Sequence, residues 1–248
     1  MDRLLEATAR AERDHFWFRG FRRFVTPLLE KSAGGRRDLL ALDCGCGTGH
    51  NLRLLRRFGR AVGIDLTLSG LQYAVSHGER HVARASAGLL PFASAVFDLV
   101  TSFDVIYSLP DDVERQALRE MHRVLKPGGR LVLNVAAMPF LHGSHSVLSG
   151  EVRRYSKRDL RARLEAAGFT IDRLTYTNAV TLPITAGVRL VQRVLGHEAS
   201  AAEISVPMTP VNEALAAALA MEALALRVVD MPAGSSLLCL ATRPFNPR

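Results

Sequence analysis

Leu39-Leu40-Ala41-Leu42-Asp43-Cys44-Gly45-Cys46-Gly47-Thr48-Gly49-His50 is the stretch on which the fold turns. An apolar run of strand length enters three glycines at alternate positions, and a helical pattern starts directly after them. Glycines at this spacing let the backbone turn sharply and approach a ligand with no Cβ in the way. In open α/β sheets such a turn lies at the carboxyl end of the first strand, where nucleotides bind.

Outward from that turn, apolar runs alternate with amphipathic stretches. The pattern predicts strands at 38–44, 60–66, 81–86, 97–103 and 129–136, and helices at 48–58, 68–77 and 112–124. Strands alternating with helices imply parallel pairing through right-handed crossovers, hence an α/β, doubly wound sheet. Pro127-Gly128-Gly129 reads as the turn that stops a helix at Lys126 and launches the strand Arg130–Ala136. Upstream, residues 3–30 read as helical, with an aromatic knot at His15-Phe16-Trp17-Phe18 and punctuation at Ser32-Ala33-Gly34-Gly35. Downstream, a loop at 137–151 leads to a helix from Ser156 to Ala167, with Ser156 and Asp159 placed as a capping box. Strands follow at 169–176 and 236–242. The segment 177–235 between them is too long for a turn and carries two apolar helices, near 182–195 and 211–229. The chain is expected to form one domain, with an N-terminal helical lid (1–34), a cofactor-binding core (35–136) and a substrate-side half (137–248).

Composition sets limits. The chain has 248 residues, 48% of them hydrophobic, enough for one substantial core. No run of about 20 apolar residues offers a membrane span. Charges at Asp2, Arg3 and Glu6 replace the apolar core of a signal peptide, so a cytoplasmic location is expected. Three cysteines, two in Cys44-x-Cys46, supply neither a disulfide framework nor a metal motif, and no metal is expected. The net charge of +8 invites a nucleic-acid partner. Yet the basic residues are nearly all scattered arginines, the only lysines being Lys31, Lys126 and Lys157, which suits a solvated surface better.

Asp43 stands two residues before the first glycine, where a carboxylate reaches a cationic amine. Asp65 ends the second strand (Val62-Gly63-Ile64-Asp65), where it accepts the hydroxyls of a ribose. His50 is bulky where a dinucleotide fingerprint asks for glycine or alanine. Asp65 would serve an adenosine in either cofactor class; the Gly-x-Gly-x-Gly packing and Asp43 tip the cofactor toward S-adenosylmethionine. With Leu90-Pro91-Phe92, Phe97-Asp98-Leu99-Val100 and Arg123-Val124-Leu125-Lys126-Pro127-Gly128-Gly129, the chain resembles the class I methyltransferases, in the group that includes small-molecule and ubiquinone-biosynthesis-type enzymes. The resemblance implies a Rossmann-like, seven-stranded sheet of order 3-2-1-4-5-7-6 with an antiparallel last strand. It also implies Asp43 near the methionine amine, Gly45, Cys46, Gly47 and Gly49 beneath the cofactor, and Asp65 on the ribose. Leu66, Ser86, Ala87, Phe103 and Asp104 complete the expected cofactor contacts. Ser86 stands where the group usually has an acidic residue on the adenine amine.

Acceptor residues should follow the fourth and fifth strands. Ser102-Phe103-Asp104-Val105 lacks the Pro-Pro-aromatic signature of nucleic-acid amino-methyltransferases, and no Pro-Cys nucleophile is present, so a small molecule is the expected substrate. His142 and His145 are candidate general bases. Gly150-Glu151-Val152-Arg153-Arg154-Tyr155-Ser156 resembles a segment in a subset of the group, with Glu151 in place of a histidine. It makes Arg154 a candidate substrate contact and Tyr155 a candidate catalytic group. That subset also shows an aromatic-rich start, which adds His15, Trp17 and Arg22 as candidate substrate contacts. The helices of 177–235 are expected to roof the site beside residues 15–22 with apolar side chains, favouring an apolar or lipid-like acceptor. A dimer interface or a membrane-surface foot remain alternatives for them, with Arg189 and Arg193 suited to the polar side of an interfacial helix. A monomer or a homodimer is expected. Two rival functions stay open: a nicotinamide-dependent oxidoreductase, opposed by His50 and the missing Tyr-x-x-x-Lys pair, and a cofactor-binding regulatory subunit without turnover.

Overall fold

The computed structural model describes residues 2–142, 150–195 and 206–245. Its sheet comprises β1 (Leu39–Cys44), β2 (Gly59–Asp65), β3 (Val82–Arg84), β4 (Phe97–Phe103), β5 (Leu125–Ala136), β6 (Thr170–Thr177) and β7 (Ser236–Thr242). The order is β3-β2-β1-β4-β5-β7-β6, and β7 runs antiparallel to both β5 and β6. β1, β4 and β7 are buried along nearly their whole length, as strands covered on both faces must be, so their sequences are continuously apolar rather than alternating. The order reverses between β1 and β4, and that switch point opens a crevice at the carboxyl ends of the two strands.

The helices are α1 (Asp2–Ala11), α2 (Phe16–Ala33), α3 (His50–Leu55), α4 (Leu68–Ser76), α5 (Asp111–Val124), α6 (Lys157–Ala166), α7 (Leu182–Leu195) and α8 (Thr209–Ala225). One face of the sheet packs Leu42, Val100 and Leu131 against Leu118 and Met121 of α5 and Leu160 and Leu164 of α6. The other packs Leu99, Val132 and Leu240 against Phe24 and Leu28 of α2, Leu52 and Leu55 of α3, and Leu219 and Ala223 of α8. Ser156 and Asp159 form the expected capping box at the start of α6.

Two boundaries differ from expectation. Residues 3–30 are two helices, not one. The chain breaks over Glu12–His15, where the His15 side chain accepts the amide of Trp17 and caps α2. The glycines after Lys126 do not separate a helix from a strand. α5 already ends at Val124, and β5 begins at Leu125. Pairing with β4 then slips between Phe97, opposite Leu125, and Leu99, opposite Arg130, so Pro127-Gly128-Gly129 is a bulge inside the strand.

Within 177–235, the described contacts beside residues 15–22 come from α8. α8 lies along α2, where Gly20 permits close approach: a Cβ there would stand 2.5 Å from Cδ1 of Leu219. Asn212 of α8 accepts the amide of Phe16 at 2.8 Å and donates to the Asp14 carbonyl at 2.9 Å. Glu222 closes the start of α7 by accepting the amides of Ala179 and Val180. α7 shows solvent Ile184, Val188, Leu190 and Val191, and α8 shows it Met221 and Leu224. No helix among the described residues is long and apolar enough to cross a membrane.

Candidate active site

The glycine loop hangs between the ends of β1 and β2. Gly45 and Cys46 both donate to the Ile64 carbonyl, at 2.8 and 2.9 Å, which pins the loop to β2. Gly45 (φ +85°) admits no side chain, since a Cβ would stand 2.2 Å from Cγ2 of Val105. Gly47 (φ +48°) is the opposite case: a Cβ there would meet nothing within 4 Å, so the loop leaves open space at that point. The Cys46 side chain turns into the core, against Gly63, and burial pushes its thiol up. Only the Cys46 backbone belongs to the loop's open side.

Two carboxylates flank the loop. Asp65 holds it in shape: Oδ2 accepts the Gly47 amide at 2.8 Å, and Oδ1 accepts the amide and hydroxyl of Thr67. Oδ2 retains a lone pair for a further donor, while both lone pairs of Oδ1 are taken by Thr67. Asp43 is 1% exposed. Its Oδ1 accepts the Thr101 hydroxyl at 2.7 Å, while its Oδ2 is buried without a hydrogen-bond partner. Burial, with Asp65 adding to it, pushes the Asp43 carboxyl up to about 7. A buried carboxylate oxygen with no donor is costly, and a cationic donor arriving there would remove the cost. Along the rim, Leu66 is 61% exposed, an apolar surface suited to a flat ring. Ser86 and half-buried Ala87 lie in a tight turn, where the Ser86 hydroxyl accepts the Gly88 amide at 3.2 Å and its carbonyl accepts the Leu89 amide at 3.1 Å.

A contact invisible in the sequence ties the N-terminal helices to this loop. Glu12, 5% exposed in the break between α1 and α2, accepts the Thr48 hydroxyl at 2.6 Å. Its Oε1 lies 3.8 Å from Nδ1 of His50 and has no hydrogen-bond partner. Arg22 donates to the carbonyls of Glu12 and Arg13 and to Nε2 of His50, at 2.7, 3.0 and 3.0 Å. Burial and the nearby Arg22 push His50 down to about 4, so it is neutral and Nε2 accepts. The guanidinium of Arg22 is therefore taken up in fastening the strap, not offered to a substrate. The residues Ala11-Glu12-Arg13-Asp14 read locally as a solvated helical turn, and nothing in their spacing marks Glu12.

The aromatic knot is anchored from below. Trp17 stacks on Phe21 at 5.8 Å, and Phe21 meets Phe103 edge-on at 5.0 Å, so half-buried Trp17 connects to the end of β4 through apolar rings. His15 serves as the cap of α2 and stacks on Phe16, and burial lowers its pKa.

Beyond β4 and β5 lies a second polar group. Asp104 follows β4 with φ +60°, its amide donating to the Asn134 carbonyl and its Oδ1 accepting Nδ2 of Asn134, both at 3.0 Å. Arg154 is drawn inward, donating to the carbonyls of Ala137 and Ser235 and pairing with Glu151 at 3.1 Å. It pins the 150–155 segment to β5 and has no face left for a substrate anion. The structure also corrects the role expected of Tyr155. Its hydroxyl donates to Glu114 at 2.7 Å in the core, beside Arg153 and Arg163, and burial holds its pKa well up. Half-buried His142 places Nε2 3.3 Å from the Glu151 carbonyl. His145 falls outside the described residues. Among the described residues no cluster of His, Cys, Asp or Glu suits a metal ion.

A seven-stranded sheet of this order, reversed only at β7, with a glycine loop after β1 and an aspartate ending β2, has the Rossmann-like class I methyltransferase fold. Residues 42–133 match the family model described as a methyltransferase domain. Among curated relatives, it is 38% identical over 120 residues to the malonyl-[acyl-carrier protein] O-methyltransferase of Pseudescherichia vulneris, covering 46% of this chain and 47% of that one. It is 28% identical over 199 residues to the ubiquinone/menaquinone biosynthesis C-methyltransferase of Escherichia fergusonii, covering 65% and 75%. The solved S-adenosylmethionine-dependent methyltransferase of Mesorhizobium loti superposes with a TM-score of 0.58 at 20% identity, covering 88% of this chain and 96% of that one. Apart from the longer Escherichia alignment, the chain spans about half the length of the curated relatives it matches.

Proposed function

We propose that this protein is an S-adenosylmethionine-dependent methyltransferase acting on a small, apolar acceptor of quinone-like or lipid-like character. The observation that carries the cofactor is the buried Oδ2 of Asp43, without a partner at the foot of a loop whose Gly47 leaves open space. The chemistry of that site fits a ligand bearing an ammonium group. Asp43 holds the amine, Gly45 to Gly49 pass beneath the ligand, and Asp65 takes the ribose hydroxyls. Leu66, Ala87 and Ser86 border the adenine, and Phe103 closes the floor. When bound, the cofactor supplies a methyl group already activated on a sulfonium, so the protein's main tasks are to position the acceptor and exclude water. The ring row Trp17–Phe21–Phe103 and the helices of 177–235 supply the apolar surroundings, and the names of the quinone-methylating relatives support the acceptor class.

The reading places the enzyme in the cytoplasm, where Cys44, Cys46 and Cys239, all free and buried, stay reduced. It assigns no nucleic-acid substrate, and it leaves the exposed apolar faces of α7 and α8 for a homodimer contact or a membrane surface. The test is calorimetry with S-adenosylhomocysteine and NADH side by side, followed by transfer of a labelled methyl group into a short-tailed demethylmenaquinol. Tight binding of the first ligand alone, with label entering the quinol, is expected. Tight binding of NADH alone refutes the function.

A further inference from the structure

Asp104 carries more constraint than a cofactor contact needs. It sits at φ +60°, a left-handed conformation that aspartate tolerates better than most residues and that fixes where its carboxylate points. Asn134, 2% exposed on β5, enforces it at two points, with the backbone carbonyl taking the Asp104 amide and Nδ2 donating to Oδ1. The carboxylate is thereby aimed by the sheet rather than by a loose loop. Its second oxygen accepts no hydrogen bond from the described residues, and the residue is half-buried, so that oxygen is reachable.

The position is also specific. Ser102 donates to the Cys44 carbonyl, and Val105 fills the space where Gly45 lacks a side chain, so Asp104 stands between two residues tied to the cofactor loop. On its other side lie Glu151 and Arg154 of the 150–155 segment and Tyr107 of its own turn, all close enough to act on it electrostatically. Asp104 is thus the carboxylate at the junction of the cofactor loop and the acceptor side. We propose, resting on the methyltransferase reading above, that Asp104 is the general base, its Oδ2 accepting the proton that the acceptor loses as it is methylated. An electron pair of the acceptor, the ring π pair of a quinol carbon, makes the new bond to the methyl carbon, and the donor sulfur keeps the electron pair of the bond that breaks. The acceptor's proton passes to the carboxylate, which later returns it to water. Burial and the facing Glu151 raise Asp104 to about 7, against the opposing hydrogen bond from Asn134 and the charge of Arg154. A base in that range is about half ionised at neutral pH and strong enough to take a proton.

The first measurement needs no acceptor. The full chain loaded with S-adenosylhomocysteine is followed by infrared difference spectroscopy from pH 5 to 9. A carboxylic acid band that disappears with a midpoint near 7 is expected. It should be absent in Asp104→Asn and shifted to higher pH in Asn134→Ala, which removes the bond favouring the ionised form. Asparagine tolerates the left-handed conformation, so Asp104→Asn should fold. If the band is unchanged in Asp104→Asn, or if Asp104 stays ionised to pH 5, the proposal is overturned. The second measurement is methyl transfer to the short-tailed demethylmenaquinol. Asp104→Asn should lose roughly 10²–10⁴-fold in kcat while its affinity for S-adenosylhomocysteine stays within twofold. Undiminished turnover in that variant also overturns the proposal. Failure of the wild-type chain to bind S-adenosylhomocysteine is a different result: it removes the methyltransferase reading and this inference with it.

Discussion

Asp43 gives the clearest quantitative test, because its Oδ2 is buried without a donor and its carboxyl is raised to about 7. Only the ionised form can pair with the ammonium of S-adenosylhomocysteine, which stays cationic throughout the range of interest. Affinity should therefore follow the ionised fraction of Asp43 in the ligand-free protein. For a group with a pKa of about 7 that fraction is about 3% at pH 5.5 and about 90% at pH 8, a ratio of about 30, or about 2 kcal/mol. The sign is fixed: binding strengthens as pH rises and levels off above about 8. At pH 6, binding should release protons, because the ligand pulls the carboxyl below its ligand-free value. Isothermal calorimetry at several pH values, each in two buffers of different ionisation enthalpy, measures both quantities. Asp43→Asn should bind at least about tenfold more weakly at pH 8 and lose most of the slope, since the amide no longer titrates. An affinity flat across this range in the wild-type chain, or a slope that survives intact in Asp43→Asn, would refute the assignment of Asp43 to the amine.

Gly47→Val should keep its circular dichroism spectrum, at a cost of roughly 1–2 kcal/mol for a side chain in the left-handed region, yet show no heat with S-adenosylhomocysteine, because the new side chain fills the loop's open space. Tyr155→Phe should lose about 1–3 kcal/mol in chemical denaturation by stripping Glu114 of a donor, while kcat holds within about threefold; a hundredfold fall in kcat would restore Tyr155 to the chemistry. Leu219→Ala should cost about 2–5 kcal/mol, since Leu219 is fully buried between α8 and α2, and Leu190→Gln, at a residue 62% exposed, should change stability by less than about 0.5 kcal/mol. Equal losses in those two variants would show that α7 is packed in solution as tightly as α8.

The central strands were legible because they are buried on both faces, which forces continuous apolar runs such as Leu39–Cys44 and Phe97–Phe103 that stand out between glycines, whereas their order in the sheet came from the resemblance to the class I methyltransferases. The placement of Asp43 and Asp65 beside the glycine loop was legible because their offsets from the glycines are set by the chain itself. What stayed hidden depends on partners distant in sequence. Glu12 meets Thr48 across 36 positions, and Tyr155 meets Glu114 across 41. No local spacing encodes either contact, so nothing marked Glu12 and Tyr155 read as chemistry. Arg22 and Arg154 misled for a related reason: arginine suits anions, but it also suits backbone carbonyls, and here those took it. The bulge at Pro127-Gly128-Gly129 was mistaken for a helix stop because the same residues make turns in either setting.

The last strand in chain order is not the last in space. β7 lies between β5 and β6, and β6 pairs with β7 alone among the described strands. During synthesis, everything from the glycine loop through β5 can assemble while the open edge of β5 waits for residues 236–242. At ~5–20 residues per second, the interval from the end of β6 to the arrival of β7 lasts several seconds. Throughout it the chain carries an unpaired β6, a bare edge on β5 and two newly made apolar helices. That interval is the molecule's point of greatest exposure to aggregation, and a ribosome-bound chain halted before Ser236 should bind holdase chaperones more strongly than one halted after β7 has emerged.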